Sequence, residues 1–182
     1  MNHIHPTAII DSRVVLGDNI SIGAFTTIGF APEHKTFTNN PGRVYIGNNT
    51  VIRECVTIHA SMKQAGTHIG KDCFIMSHAH IGHDSFIGEG AVISAGAVLA
   101  GFVTVGDASY IGINASLHQY AEFPSLSILG AGAFFKGRDK LSGLKWVGVP
   151  ARPIAVNAIS IRKHMTEDEA EDMIKELSGL FR

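Results

Sequence analysis

An aliphatic or aromatic residue recurs at every sixth position along most of this chain. The longest run continues without a slip through Ile69, Ile75, Ile81, Ile87, Ile93, Leu99, Val105, Ile111, Leu117, Phe123, Leu129 and Phe135. An earlier run comprises Ile4, Ile10, Leu16, Ile22 and Ile28, and resumes after eighteen residues as Ile46, Ile52 and Ile58. A helical face would repeat near 3.6 residues and a half-buried strand at two. A period of six therefore indicates one supersecondary unit used repeatedly.

The repeat has a second and a third regular position. A small or β-branched residue stands four residues after most of the aliphatic positions, as at Cys73, Ala79, Ser85, Ala91 and Ala97. Glycine often stands one residue after them, as at Gly17, Gly23, Gly70, Gly82, Gly88 and Gly106. Such a glycine indicates a turn with a positive φ or a close backbone approach. Short strands joined by these turns predict a parallel β-coil with the aliphatic side chains stacked inside.

This pattern resembles the hexapeptide-repeat family over roughly residues 4–153. The resemblance implies an all-β solenoid, a left-handed parallel β-helix of triangular section in which three hexapeptides, eighteen residues, make one coil. We expect residues 1–155 to form this acyltransferase-type domain and residues 156–182 to form a C-terminal helical extension.

Three segments interrupt the repeat, at residues 30–43, 60–68 and 135–146. The second is five residues longer than the register allows. In the third, Leu141 and Val147 keep the six-residue count, but Asp139 and Lys145 occupy the small-residue positions. Insertions in a solenoid project from its surface and often line its binding face. We therefore expect three loops, the last of them extruded.

A helical pattern follows the repeat. Thr166 and Glu169 have the spacing of a capping box, and Met165 is placed as a hydrophobic staple. Met173, Ile174, Leu177, Leu180 and Phe181 would share one helical face. This short helix is expected either to pack on the coil of its own or a neighbouring subunit or to cover the open end of the solenoid.

Composition excludes some functions. The net charge of -1 gives no electrostatic case for nucleic acid. Residues 90–106 carry no charge, but their six-residue register and small residues favour buried coil, and the run is short for a membrane span. The N-terminus enters the repeat at once, without a signal-peptide pattern. Cys55 and Cys73 have no recognisable metal or disulfide spacing, so a cytoplasmic location is expected.

Histidines cluster in the middle of the chain. His83 stands two residues after an aliphatic position, so we expect it to be exposed outside the coil. Gly101 and Gln119 follow at intervals of eighteen and would extend an outward column about 10 Å long. His59 and His118 lie three coils apart once the five inserted residues are removed. Such a column suits proton transfer near neutral pH, although any single histidine could simply hydrogen-bond a loop.

A narrower resemblance involves the segments at 43–59, 79–84, 99–105, 117–119 and 151–164. They are similar to the acyl-carrier-protein-dependent UDP-N-acetylglucosamine O-acyltransferases of lipid A synthesis. The resemblance implies that His83 is the general base, that the Gly101 amide stabilises the oxyanion, and that Asp84 has a supporting role. Asp84 is expected to point away from His83, since neighbours on extended backbone alternate. The substrate-contacting positions are matched by His59, His80, His118, Gln119 and Asn157.

Several residues depart from that family. Phe102 replaces a histidine that contacts the sugar, and Ile159 replaces a glutamate near the nucleotide-sugar site. Residues 30–43 offer Glu33, His34 and Lys35 in place of a Gln-Asp-x-x-Lys arrangement. Ala131 occupies a glycine position that limits acyl-chain length, which implies a shorter acyl group. The C-terminal helix is smaller than the family's basic domain that docks the acidic carrier protein.

The donor remains open between two thioesters. Residues 146–154 also resemble the end of coenzyme A-dependent acetyltransferases, in which this segment lies near the cofactor. Arg152, Arg162 or Lys163 could then contact a phosphate, or form a solvated basic end. Acyl-acyl carrier protein or acyl-coenzyme A would serve as co-substrate, with no tightly bound cofactor and no metal.

Two other classes compete with an acyltransferase. A zinc enzyme of the γ-carbonic anhydrase kind would use His78 and His83, which have H-x-x-x-x-H spacing. A catalytically silent scaffold is the other. The family resemblance further implies a homotrimer with inter-subunit active sites and a sugar acceptor, with acyl carrier protein as a candidate partner.

Overall fold

The computed structural model describes residues 1–37, 39–62 and 65–181, and these form three sheets and two α-helices. In the first sheet, in spatial order, lie β1 His3–Ile4, β4 Ser21–Ile22, β7 Val51–Ile52, β10 Phe74–Ile75, β13 Val92–Ile93, β16 Tyr110–Ile111, β19 Ile128–Leu129, β21 Leu144–Val147 and β22 Arg152–Val156. In the second lie β2 Ile9–Ile10, β5 Thr27–Phe30, β8 Thr57–His59, β11 His80–Ile81, β14 Val98–Leu99, β17 Ser116–Leu117 and β20 Phe134–Phe135. In the third lie β18 Glu122–Phe123, β15 Thr104–Val105, β12 Phe86–Ile87, β9 Thr67–Ile69, β6 Val44–Ile46 and β3 Val14–Leu16.

From β1 to β20, consecutive strands belong to successive sheets, so the chain winds as the predicted parallel β-helix. The coil repeat is eighteen residues: Ile81 pairs with Leu99, and Leu99 with Leu117. Across the second interruption the offset is twenty-three, since Ile58 pairs with Ile81. The inward aliphatic side chains of the coil, such as Ile81 and Leu99, are buried. Each such residue contributes about 1.5–3 kcal/mol relative to an exposed one.

The turns between strands use two distinct devices. Positive φ falls three residues after the inward aliphatic, as at Asp84 (58°), Phe102 (60°) and Tyr120 (65°). The recurrent glycine instead permits close approach: a Cβ on Gly82 would lie 2.6 Å from the carbonyl carbon of Ala100 in the next coil. Of the two reasons for glycine considered from sequence, close approach is the one that applies at Gly82.

Each of the three predicted interruptions corresponds to a loop between strands, and each loop is shorter than predicted. Strand β5 ends at Phe30 and β6 begins at Val44, which leaves 31–43, with residue 38 outside the described residues. The second loop ends before the buried Thr67, with residues 63 and 64 outside the described part.

The third interruption shows one wrong prediction. It extends over 136–143 only, because the chain re-enters the first sheet as β21 at Leu144. Leu144 and Trp146 point into the core, whereas Leu141 and Val147, which kept the six-residue count, are 49% and 40% exposed. The register therefore slips within this loop.

The C-terminal extension contains two α-helices rather than one, α1 Ala158–His164 and α2 Glu167–Ser178, followed by a 3₁₀ turn at Gly179–Phe181. The Glu169 carboxylate accepts the Thr166 N–H, which confirms the predicted capping box. Both helices pack on their own chain, where Ile161 and Leu177 are buried.

The predicted apolar face of the extension ends earlier than expected. Met173 and Ile174 pack on the core. Leu180 and Phe181 are 56% and 39% exposed, because the 3₁₀ turn rotates them off the helical face.

The uncharged segment 90–106 contributes strands β13, β14 and β15 to the coil, as predicted. Among the described residues there is no helix with the length and apolar character that crossing a membrane requires.

Candidate active site

His83 lies in the turn after β11 but is covered rather than exposed. The imidazole is outside the coil, as the register predicts, yet the residue is only 4% exposed. The rings of His34 and Phe102 meet it edge-on, with centroids 5.5 and 5.1 Å away. The prediction of an exposed side chain was wrong because it took no account of the loop over residues 31–43, which folds back onto this turn.

Asp84 holds His83 directly. The His83 Nδ1 atom lies 2.8 Å from Asp84 Oδ2, and both side chains are over nine-tenths buried. Since an ionised carboxylate can only accept, Nδ1 carries the proton and Nε2 keeps its lone pair. The expectation that these neighbours point apart was wrong, because Asp84 has a φ of 58° and the backbone there is not extended.

The second interruption supplies the groups that fix the Asp84 carboxylate. The hydroxyl of Ser61 donates to Oδ1 at 2.5 Å, and the N–H of Met62 donates to Oδ2 at 2.9 Å. The N–H of Asp84 itself donates to Thr67 Oγ1 at 2.9 Å. Sequence reasoning missed Ser61 and Thr67; their polar character inside an inserted segment beside the histidines was the available signal.

Gly101 lies one coil further on and faces the imidazole. A Cβ at this position would be 2.6 Å from both Cε1 and Nε2 of His83, so the ring occupies the space that a side chain would need. Among the described residues, none accepts a hydrogen bond from the Gly101 N–H. A free backbone N–H next to a basic imidazole nitrogen is the arrangement that an oxyanion site requires.

A cavity of about 330 Å³ opens at this point. It brings together five of the sequence-predicted site residues: His59, His80, His83, Gly101 and Gln119. Glu33 and His34 from the first loop, with Gly82, Val98 and Ala100, complete the lining. No lysine or arginine is among these lining residues.

His59 and His80 face each other in this cavity, with ring centroids 5.2 Å apart. Burial lowers the pKa of His80, and the neighbouring His59 lowers it further, whereas Glu33 opposes both. The imidazole of His80 is thus neutral near pH 7. With Glu33, these two histidines form the group of possible metal ligands that the described residues bring together, and it contains neither His78 nor His83.

The remaining acceptor-site candidates lie outside this cavity in the single chain. His118 is exposed beside it and donates its Nδ1–H to the Gln119 carbonyl at 3.0 Å. Asn157 is only 2% exposed and donates to the Leu126 carbonyl at 2.8 Å. Asn157 lines a second cavity of about 270 Å³, between α1 and the first sheet, together with Ile159 and Lys163.

The donor-site candidates are dispersed. Arg152 lines a third cavity, of about 440 Å³, with Lys136 and Trp146. Arg162 pairs with Glu171 across the two C-terminal helices at 2.9 Å. Ala131 is exposed in a turn. The single chain therefore brings together His83, the Asp84 carboxylate and the N–H of Gly101, but leaves the basic donor-site candidates apart.

Comparison with known proteins agrees with this fold. Residues 66–101 match the family model described as bacterial transferase hexapeptide (six repeats). The fold and the repeat are those of left-handed β-helix proteins built from hexapeptide repeats.

Within that class the chain resembles UDP-N-acetylglucosamine acyltransferases. The acyl-[acyl-carrier-protein]–UDP-N-acetylglucosamine O-acyltransferase of Burkholderia vietnamiensis is 34% identical over 169 residues, covering 92% of this chain and 63% of the relative. The UDP-N-acetylglucosamine acyltransferase of Campylobacter jejuni superposes with a TM-score of 0.79 at 25% identity, covering 98% of this chain and 84% of that one. The Bacteroides fragilis enzyme, at 24% identity, has the same fold, with a TM-score of 0.90 over all of this chain and 71% of that one. The chain spans less than two thirds of the length of the first curated relatives it matches.

Proposed function

We propose that this protein is an O-acyltransferase that moves an acyl group from a phosphopantetheine thioester to a sugar hydroxyl, with His83 as general base. One observation carries the proposal. The Asp84 carboxylate accepts a hydrogen bond from Nδ1 of the buried His83 ring, and Nε2 of that ring faces the backbone of Gly101, whose N–H has no acceptor among the described residues. The names of the relatives, all acyltransferases, support the same reaction type.

The reaction begins with proton transfer to His83. The acceptor hydroxyl donates to Nε2 while its oxygen attacks the thioester carbonyl. Asp84 stabilises the imidazolium that forms, because its carboxylate already holds the Nδ1–H at 2.8 Å. The buried position of both groups strengthens this interaction relative to water.

The negative charge that develops on the carbonyl oxygen needs a donor. The free N–H of Gly101 supplies it, and the interaction is made only as the tetrahedral intermediate forms. Collapse of that intermediate breaks the carbon–sulfur bond, and the departing thiolate takes the proton back from His83. The products are the ester and the free thiol, and no redox step is involved.

We propose that the acceptor is a nucleotide sugar bound in the cavity beside His83. His59, His80 and Gln119 offer polar groups there, and His118 lies at the edge. Phe102, which stands where the family has a histidine, packs edge-on against His83 and stacks on Tyr120, with ring centroids 5.1 and 4.8 Å apart, so it offers the acceptor no hydrogen bond.

We further propose a homotrimer with inter-subunit sites. The cavity with His83 and the cavity with Asn157 and Lys163 share no lining residue. A neighbouring copy could place Asn157, Lys163 and Arg162 opposite His83, where they would bind the nucleotide. Coexpressing His83→Gln and Lys163→Ala subunits should restore activity that neither variant has alone; unrestored activity would contradict shared sites.

The donor is acyl carrier protein or coenzyme A. The name of the Burkholderia relative supports acyl carrier protein, whereas the cavity lined by Lys136 and Arg152 beside the 146–153 segment suits a coenzyme A phosphate. A short acyl group is expected from Ala131. A reducing cytoplasm suits both thioesters and the two free cysteines.

The test is a matrix of donors and acceptors. Acetyl-coenzyme A, short-chain acyl-coenzyme A and acyl-acyl carrier protein are combined with UDP- and GDP-sugars, and thiol release and sugar acylation are both measured. Productive pairs should also raise the unfolding temperature, because ligands that bind only the native state stabilise it. Thiol release without sugar acylation across the matrix would contradict the proposal.

A further inference from the structure

Three hydrogen-bond acceptors converge in the cavity beside His83. One ligand atom each from Glu33, His59 and His80 lies within 4.8 Å of the other two. Within the described part of the chain, the Glu33 carboxylate makes no hydrogen bond or ion pair. Facing lone pairs repel one another unless a cation or a donor group lies between them.

Both imidazoles hydrogen-bond an oxygen through Nδ1, which leaves Nε2 of each ring available to a ligand. His59 Nδ1 lies 2.7 Å from the Ala31 carbonyl, which can only accept, so Nδ1 carries the proton and Nε2 is the free lone pair. His80 Nδ1 lies 2.7 Å from Thr57 Oγ1, which can accept the same way. Metal-binding histidines typically donate their other ring N–H to an oxygen in this manner.

We propose that Glu33, His59 and His80 bind a divalent transition-metal cation of the zinc type. Two imidazole nitrogens and one carboxylate oxygen form a His₂Glu set, which leaves a fourth position open to water or to a ligand oxygen. The cavity lining contains no lysine or arginine that would compete for the carboxylate or repel a cation. The site is distinct from the His78–His83 pair that the sequence spacing suggests.

The geometry needs only a small adjustment. Bonds of about 2.0–2.1 Å place tetrahedral ligand atoms roughly 3.3 Å apart, so the three donors must close by about 1.5 Å at most. Glu33 is exposed in the loop over residues 31–43 and can make that movement. The two histidines are anchored on strands β8 and β11 and would move least.

The bound cation would lie in the acceptor cavity without replacing the base. His83 keeps its Nδ1–H on Asp84, and its Nε2 is directed at Gly101. The cation would therefore lie beside the space proposed for the sugar, and its open coordination position would be available to a hydroxyl oxygen. This site does not depend on the acyl-transfer proposal.

Metal titration tests the site directly. Tag-free protein is dialysed against EDTA, and Co²⁺ and Zn²⁺ binding is measured by Co²⁺ d–d absorption and by Zn²⁺ competition. Glu33→Gln and His80→Asn are compared with the wild type, and His78→Asn, at an exposed turn outside the cavity, is the control. Thermal unfolding of each variant verifies folding, and no acyl donor is present.

We expect one Co²⁺ per chain with a four- or five-coordinate spectrum, and affinity at least about tenfold weaker in Glu33→Gln and in His80→Asn. His78→Asn should bind as the wild type does. Absence of stoichiometric binding below about 1 mM metal would overturn the proposal, as would equal affinity in folded Glu33→Gln. Either result leaves the role of His83 untouched, because no turnover is measured.

Discussion

Replacing Gly101 by alanine should displace the His83 ring and little else. The added methyl would lie 2.6 Å from both Cε1 and Nε2 of His83, whereas carbon contacts prefer about 3.5–4.0 Å. The ring must therefore retreat by about 1 Å. A shift of that size disturbs the 2.8 Å hydrogen bond from Nδ1 to Asp84, whose strength depends on distance and angle.

The expected loss follows from that displacement. A misplacement of about 1 Å at a reacting group can cost about 10²-fold in rate, which corresponds to about 2.7 kcal/mol in the barrier. The Gly101 N–H itself survives the substitution, so the oxyanion donor is retained. Backbone strain is not expected, because Gly101 is not among the residues with positive φ. Overpacking should lower the free energy of unfolding by about 1–3 kcal/mol.

The assay is steady-state thiol release with the productive donor and acceptor, alongside urea unfolding. Gly179→Ala is the matched control, since its Cβ would meet nothing within 4 Å and its φ is -63°. Gly82→Ala is the contrasting variant, because its Cβ would strike backbone and should disrupt the coil. A folded Gly101→Ala protein with turnover within about threefold of the wild type would refute the placement of the ring.

Four further predictions follow from single contacts. Asp84→Asn should lower kcat by about 10²–10⁴-fold, because an amide does not fix the Nδ1–H tautomer, and single-turnover kinetics would show this. Burial raises the pKa of Cys73 to about 11, so a thiol reagent at neutral pH should label Cys55 well before Cys73, as peptide mapping would reveal. Burial lowers the pKa of His80 in the folded state, so the unfolded chain binds the proton first as pH falls through 6.5. In urea melts, the free energy of unfolding of the wild type should therefore fall relative to that of His80→Gln as pH drops below about 6.5. Thr166→Ala should cost about 0.5–2 kcal/mol in the free energy of unfolding, measured the same way, because it removes the cap of α2.

The coil could be predicted from the sequence because each hexapeptide buries one aliphatic or aromatic side chain and one small one, as at Ile81 and Ser85. That constraint fixes the pairing of Ile81 with Leu99 and Leu117, and hence the alignment of His83 with Gly101. This constraint fails in the third loop, where the buried residues do not keep the six-residue spacing. The return of the chain to the first sheet at Leu144 and Trp146 was therefore missed.

The candidate site was predictable as a set of positions but not as a set of contacts. The register gives no information about the path of an inserted loop, so the burial of His83 by His34 was not foreseen. The pairing of His83 with Asp84 depends on a left-handed turn, which a period-two strand argument cannot produce. Ser61 is likewise visible only once the second loop is seen to fold back onto Asp84.

Loss of the base is the most direct test of the proposed function. His83→Gln removes the Nε2 lone pair, and its turnover is compared with that of the wild type and of His78→Gln at saturating donor and acceptor. We predict a fall in kcat of about 10²–10⁴-fold in His83→Gln, since general-base catalysis contributes about that factor, and unchanged kcat in His78→Gln. Turnover of folded His83→Gln within about tenfold of the wild type would contradict the assignment of His83 as the base.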